Sequence, residues 1–347
     1  MKKITRSAMS KITMQDIADA LDISRVTVWK VFNNQPGVSD NLRIQILDKA
    51  KELGYQKNLI PQAPITQTDH RTVSVIVSRP ESAVFWINII HRVAQELVDY
   101  NTDLIYTYVP SICPDSYTLP ESLTNGTIKG CIILNVYDMK MIQLINQLDI
   151  PKVFLDTVTD FPASELNGDL FLLEGIQTVQ TLTNHIIGKG RTQIGFIGDI
   201  KYARTNSDRY LGYKMAMEEN HLEIKPSYCL TTKLGIYSYQ EEIRRFLNGL
   251  WVLPEAFVCA SDYIAHFLQS YLLEHNIRVP RDIAITGYDG TSEYSNVANI
   301  LTTADVNTWA LGKRLSHQLL FLIDNPSFPK EIVYILPTIN YKKSTDF

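Results

Sequence analysis

The run Ile12-Thr13-Met14-Gln15-Asp16-Ile17-Ala18-Asp19-Ala20-Leu21-Asp22-Ile23-Ser24-Arg25-Val26-Thr27-Val28-Trp29-Lys30-Val31-Phe32-Asn33 decides how the 347-residue chain is organised. Met14, Ile17, Ala18 and Leu21 recur at i, i+3, i+4 and i+7, one apolar face of a helix. Thr13 stands where that helix needs an N-cap, and Asp16 three places on closes a box-like start. Asp22-Ile23-Ser24 interrupts; Ser24 then caps a second short helix in which Val28, Val31 and Phe32 point inward. Asn33-Asn34-Gln35-Pro36-Gly37 is dense in turn residues. Ser39 caps a third helix with Leu42, Ile46, Leu47, Ala50 and Leu53 on its inner side, and Gly54 is a natural stop. Two short helices closed by a third are the helix-turn-helix plan, a small all-α domain whose second helix enters the major groove. The outward residues of that helix are Arg25, Val26, Trp29, Lys30 and Asn33. The plainer alternative is a three-helix bundle with a solvated charged face.

Working outward, the whole chain has a formal charge of −4, from 33 Lys+Arg against 37 Asp+Glu, which alone discourages a nucleic-acid partner. The average hides a split. Residues 1–57 hold ten Lys+Arg and six Asp+Glu, a charge of +4, which leaves −8 on the other 290 residues. A basic head on an acidic body is the asymmetry expected of a nucleic-acid-binding arm with a different task behind it. Hydrophobic residues at 45% and charged residues at 20% exclude a disordered or fibrous chain.

Cys113, Cys131, Cys229 and Cys259 are far apart, with no Cys-x-x-Cys pair and no neighbouring His cluster, so no metal site is expected. Cys131 and Cys259 sit in apolar runs and read as small core residues. No signal peptide and no apolar run near 18 residues is evident, which predicts a cytoplasmic, reduced protein with no membrane partner. Walker, GxGxxG, HExxH and GxSxG patterns are missing and the seven His are scattered, so no catalytic residue and no cofactor is expected.

From residue 72 onward, short apolar runs alternate with amphipathic stretches. Strands are expected at Val73–Val77, Leu104–Val109, Cys131–Leu134, Lys152–Leu155, Gln193–Ile197, Ala256–Cys259 and Ile283–Thr286. Helices are expected at Phe85–Asp99, Met139–Gln147, Ile176–Gly188, Arg209–Glu219, Tyr239–Leu247, Ile264–His275 and Trp309–Ile323. This βαβα rhythm predicts an α/β body with parallel sheets in two lobes, and ligands of such sheets bind beyond the carboxyl ends of the strands.

The head strongly resembles the DNA-binding domain of the LacI/GalR family of bacterial transcription regulators. The resemblance rests on Thr13 to Ala18, on Thr27-Val28, on Pro36-Gly37-Val38-Ser39 and on Leu53-Gly54-Tyr55. It continues over the body as the family's periplasmic-binding-protein-like (type I) effector domain. There it is carried by Arg209-Tyr210-Leu211-Gly212-Tyr213, Ala260-Ser261-Asp262 with Ala265, Val279-Pro280-Arg281-Asp282-Ile283, Gly287-Tyr288-Asp289 and Leu301-Thr302-Thr303.

The resemblance implies a repressor of transcription, or an activator or dual regulator, working as a homodimer on double-stranded operator DNA under a small sugar-like effector. A solute-binding protein is the remote alternative, with no use for residues 12–57. Arg25 and Val26 take the base-reading positions; Arg25 can reach a guanine O6/N7 pair and Val26 a thymine methyl. Thr13, Ser24, Thr27 and Lys30 suit phosphate, which fixes register. Trp29, where the family has a small residue, packs on the DNA backbone or on the neighbouring helix.

The resemblance makes Arg209 and Asp289 the effector-gripping charges, a fork donor for hydroxyls or a carboxylate and a carboxylate acceptor for hydroxyls; the plainer alternative for each is a surface ion pair or loop brace. Phe85 and Trp86 either stack on the effector or plug the core. Asp262 either touches the effector or caps the following helix. Ser261, Glu174-Gly175 and Gly290 depart from the family's Asn, Asp-Asn and second Asp, which points to a different ligand or to weak binding.

The expected division is a helix-turn-helix domain at 1–58, a spacer at 59–71 and an effector-binding and dimerisation body at 72–340. The body's N-lobe is expected at about 72–160 and 306–325, and its C-lobe at about 161–304 and 328–340, with crossings near 157–162, 304–307 and 324–330. Pro61 and Pro64 disfavour the family's hinge helix in the spacer, which predicts weaker operator bending.

Overall fold

A computed structural model of the chain describes residues 12–32, 38–53, 55, 70–78, 84–235 and 238–347. Asn33, the turn at 34–37, Gly54, the Leu47 side chain and residues 59–69 of the spacer expected at 59–71, with its two prolines, lie outside the described residues. The chain divides into two units, residues 1–67 and 68–347.

In the first unit, Thr13 and Asp16 form a capping box: the Thr13 hydroxyl accepts from the Asp16 amide at 3.4 Å, and the Asp16 carboxylate accepts from the Thr13 amide at 2.6 Å. This starts helix α1 (Met14–Ala20), capped at Leu21 and followed by Asp22, a residue type that tolerates its left-handed φ of 54°. Ser24 accepts from the Thr27 amide at 3.1 Å and starts α2 (Arg25–Phe32); the Ser39 hydroxyl accepts from the Leu42 amide at the start of α3 (Asp40–Glu52). Ile17, Ala18, Val28, Val31, Ile46 and Ala50 are buried together, with Leu42, Leu53 and the Phe32–Tyr55 ring pair packed around them.

The second unit has two six-stranded sheets. The first holds β1 (Arg71–Val77), β2 (Thr102–Tyr108), β3 (Cys131–Leu134), β4 (Lys152–Leu155), β5 (Asp169–Leu173) and β11 (Ile332–Ile335), in the order β11-β5-β4-β3-β1-β2, all parallel. The second holds β6 (Ile194–Ile197), β7 (Cys229–Leu230), β8 (Ala256–Cys259), β9 (Ala284–Asp289), β10 (Thr302–Asp305) and β12 (Thr338–Asn340), in the order β12-β10-β9-β8-β6-β7; only β12 is antiparallel. The inner strands β3, β4 and β5 are buried along their whole length, because both faces of the sheet are covered there. Val73, Val75, Ile132, Val153 and Phe171 pack to one side, with α4 (Val84–Val98). Ile76, Ile133, Phe154 and Leu170 pack to the other, with Met141, Ile142 and Ile145 of α5 (Met139–Asn146). Helices α6 (Ile176–Gly188), α7 (Arg204–Glu219), α8 (Tyr239–Asn248) and α9 (Asp262–Glu274) belong to the second lobe, and α10 (Thr308–Asp324) packs on α4 in the first.

These pairings correct the expected lobe boundaries. The chain does not leave the first lobe at 157–162: β5 returns to pair with β4, so the crossing follows residue 173. Nor does it cross at 324–330, since β11 still pairs with β5; that crossing lies at 336–337, between β11 and β12. The crossing expected at 304–307 falls between β10 and α10. Arg71 belongs to β1 rather than to the spacer, and the body runs past residue 340, with Ser344 and Thr345 buried against the second sheet.

No helix among the described residues is long and apolar enough to cross a membrane. Among the described residues no group of three His, Cys, Asp or Glu is placed to hold a metal ion.

Candidate nucleic-acid interface and ligand cleft

Helix α2 divides its residues by the 3.6 period. Val28 and Val31 are buried, whereas Ser24, Arg25, Val26 and Trp29 are exposed, Val26 at 62% and Trp29 at 48%. Thr27 and Lys30 are half-buried on the flanks of that face, and Thr13 is exposed at the start of α1. An apolar side chain and an indole facing outward beside an arginine are unusual on a helix whose own core is complete. Arg43 donates to the Val31 carbonyl at 3.3 Å and so satisfies one of the orphan acceptors at the end of α2. The Asp16 carboxyl is held below its ordinary range by the Thr13 amide and hydroxyl.

In the body, a cleft of about 340 Å³ opens between the lobes. Phe85, Trp86, Arg209, Ser261 and Asp289 all line it. Phe85 is buried and meets Trp86 edge-on at 5.2 Å between centroids, so the pair is core on one side and cleft wall on the other.

Arg209 comes from the second turn of α7 and is 5% exposed. Its Nη1 donates to the Ala260 carbonyl at 2.5 Å and lies 3.9 Å from Asp289 Oδ1, and its guanidinium stacks 3.6 Å from the Tyr288 ring centroid. A Cβ on Gly175 would stand 2.9 Å from Arg209 Cγ, so Gly175 gives the arginine its room. Asp289 is held at φ 118°, a conformation that L side chains rarely adopt and that surrounding structure must enforce. Burial pushes its carboxyl up, against the pull of Arg209.

One expectation is corrected, and two departures from the family pattern find their reason. Asp262 neither lines the cleft nor caps α9. Ser261 is the cap, accepting from the Ile264 amide at 3.2 Å, while Asp262 is buried in the second lobe, accepting from Thr303 Oγ1 at 2.6 Å and the Thr291 amide at 2.9 Å. Glu174 turns away from the cleft to cap α6, accepting from the Gln177 amide at 2.7 Å and the Thr178 amide at 3.0 Å. Gly290 has φ 74°, and a Cβ there would press into Asp305, so neither the backbone nor the space admits a second aspartate.

The cleft contains residues that motif reading did not find. Asn135 follows β3 and Asp156 follows β4, both with positive φ, 55° and 67°. Asp156 is a junction between lobes. Its Oδ1 accepts from the amides of Thr157 (2.8 Å) and Thr205 (3.2 Å), and its Oδ2 from Thr205 Oγ1 (2.5 Å) and Tyr137 Oη (3.2 Å). Burial pushes the Asp156 carboxyl up, and the Thr205 hydroxyl opposes that. Glu293 of the second lobe accepts from the Val84 amide at 2.9 Å, and Tyr137 packs against Tyr202 at 4.3 Å between centroids. Tyr108, Tyr239, Tyr263 and Tyr294 complete an aromatic wall. The sequence signal for Asn135 and Asp156 is a run of three or four apolar residues ended by Asn or Asp, at the carboxyl end of a parallel strand.

Residues 13–58 match the family described as bacterial regulatory proteins, lacI family, and residues 183–345 match a periplasmic binding protein-like domain. The HTH-type transcriptional regulator RegA of Clostridium saccharobutylicum is 28% identical over 332 residues, which cover 92% of this chain and 96% of that protein. The structure of the transcriptional regulator CelR–cellobiose complex covers 96% of this chain and 100% of its own, at 19% identity and a TM-score of 0.66. The lac repressor dimer bound to operator and the anti-inducer ONPF covers 96% of this chain and 99% of its own, at 19% identity and a TM-score of 0.62.

Proposed function

The chain belongs to the lacI family of bacterial regulatory proteins, and from that membership we propose that it is a sequence-specific repressor whose operator affinity is set by a small polar effector, a sugar or sugar derivative. The family is one of DNA-binding regulators and not of enzymes. The observation that carries the reading is the outer face of α2, where Arg25, Val26 and Trp29 are exposed over a finished core.

In this reading Arg25 and Val26 meet base edges, and Thr13, Ser24, Thr27, Trp29, Lys30 and Asn33 meet the backbone. The +4 charge of residues 1–57 supplies the salt-dependent attraction to phosphate. Phe85, Trp86, Arg209, Ser261 and Asp289 hold the effector, with Asp156 and Glu293 added from the structure. Effector binding and operator binding are then linked through the relative population of two arrangements of the lobes.

The working unit is a homodimer in the cytoplasm, because one head reads only a half-site and two-fold proteins match palindromic operators. What supports a second copy in this chain is β2. It ends the first sheet, yet Ile105 and Tyr106 are 37% and 50% exposed on it, and an apolar edge strand left open is an aggregation hazard that proteins cover.

The test is selection of bound duplexes from a random pool by the purified chain, followed by anisotropy titration of the selected duplex with a panel of saccharides. The reading expects a palindromic consensus and a saccharide that changes its affinity. A pool that enriches no sequence over the input would refute it.

A further inference from the structure

The outward face of α2 is chemically odd for a helix whose neighbour is water. Three residues of Arg25–Phe32 are exposed, and two of these, Val26 and Trp29, are large and apolar. The core of the head closes without them, on Val28 and Val31 of the same helix with Ile17, Ala18, Ile46 and Ala50. A single apolar side chain on a surface needs no explanation. These two are three residues apart and share one ridge of the helix, where such pairs have about 5–6 Å between their Cβ atoms.

The major groove offers an apolar ridge a particular target. Each base edge there shows donors and acceptors, and the apolar group among them is the C5 methyl of thymine. Val26 has no polar side-chain atom. Trp29 has one, the indole N–H, a donor that suits a phosphate oxygen on the groove wall and leaves the rest of the ring with nothing to donate or accept. Side chains three apart on a helix reach further than one base step, whose rise is about 3.4 Å. Two methyls within two steps of each other therefore fall under the ridge. Arg25, the residue before Val26, is the polar reader beside them.

Resting on the operator-binding reading above, we propose that Val26 and Trp29 together read thymine methyls, so that each half-site carries two thymines within two base steps and Trp29 sets sequence as well as register.

The test uses the full chain and the duplex that it selects from a random pool, with the thymines replaced one at a time by deoxyuridine. That exchange deletes the methyl and leaves every hydrogen-bonding group of the base in place. For the unaltered chain, two thymines in each half-site are expected to lose about fourfold in affinity when exchanged, the worth of one buried methyl. Trp29→Ser is expected to abolish one of the two penalties and Val26→Ala the other, whereas Trp29→Phe, a ring without the N–H, retains both. Because both side chains lie outside the core, the variants should melt with the unaltered chain; the deoxyuridine series on the unaltered chain decides the matter if they do not. Penalties that survive both substitutions overturn the proposal. So does a Trp29→Ser chain weakened equally on every duplex, which assigns Trp29 to the backbone alone, and so does a selected half-site without such a thymine pair. A pool that enriches no sequence refutes the operator reading and the proposal with it; an enriched operator indifferent to deoxyuridine refutes the proposal alone.

Discussion

Arg25 and Asp156 show two ways in which one side chain matters. Arg25 is exposed on α2 and its loss removes nothing from the core of the head. Arg25→Ala is therefore expected to leave the fold and the weak non-specific DNA binding in place and to lose about 1–3 kcal/mol of discrimination for the selected operator. Equal discrimination by the two proteins in competition titrations would remove Arg25 from the base-reading role. Asp156 is the opposite case, buried with four donors aimed at it. Its carboxyl is raised from an ordinary 3.8, so the folded chain holds that proton more tightly than the unfolded chain does. Stability from this group is then greatest below the unfolded value and declines as the pH climbs through and above it. Asp156→Asn cannot ionise. The stability of the natural chain relative to this variant should fall from about pH 4 toward neutrality, and parallel melting curves across that range would contradict the assignment. Asn135 and Asp156 were legible in principle as polar residues that follow apolar strands, but no five-residue motif contains either, because the contacts that place them in the cleft, from Tyr202 and Thr205, come from the other lobe.

At the scale of elements, α6 and α7 pack closely because Gly212 has no side chain: a Cβ there would run into the Ile176 carbonyl of α6. Gly212→Ala is expected to cost about 1–3 kcal/mol by overpacking, seen as a lower urea midpoint with the slope unchanged. A midpoint equal to that of the unaltered chain would show that the two helices separate freely. The sequence places α7 from Arg209, whereas it begins at Arg204. Its first turn, Arg204 to Asp208, carries no apolar face, its N-cap is Ala203, and the acceptor that satisfies its amide is Asp156, far away in the chain. A helix start of that kind has no local signature. Strand β5 is not evident in the sequence: Asp169-Leu170-Phe171-Leu172-Leu173 is buried along its whole length and shows no alternation, and periodicity does not separate such a run from a buried helix segment. The head was read nearly to the residue because each of its caps, Thr13, Ser24 and Ser39, lies within three residues of its target.

For the whole molecule, the open edge of β2 predicts assembly. The chain is expected to run at twice its 39.5 kDa in light scattering, and Ile105→Lys, which places a charge on that edge, to shift it toward the single mass. A single mass for the unaltered chain at micromolar concentration would exclude the dimer. The charge split read from the sequence belongs to this scale as well, since the division after residue 67 keeps the basic segment in the three-helix unit. The lobe boundaries do not follow from such averages. They are set by β11 and β12, two short strands that join different sheets with only residues 336–337 between them.

That late return of the chain governs the order in which a newly made molecule becomes competent. The core of the first unit, from Met14 to Tyr55, is made of neighbours in sequence, the kind of structure that closes fastest. The first sheet receives its outer strand only at residues 332–335. The second receives its own at 338–340, and Thr302 finds its partner in Ser344 later still. A growing chain therefore owns a finished three-helix unit well before its two sheets, and the cleft between them, are completed by residues 332–344.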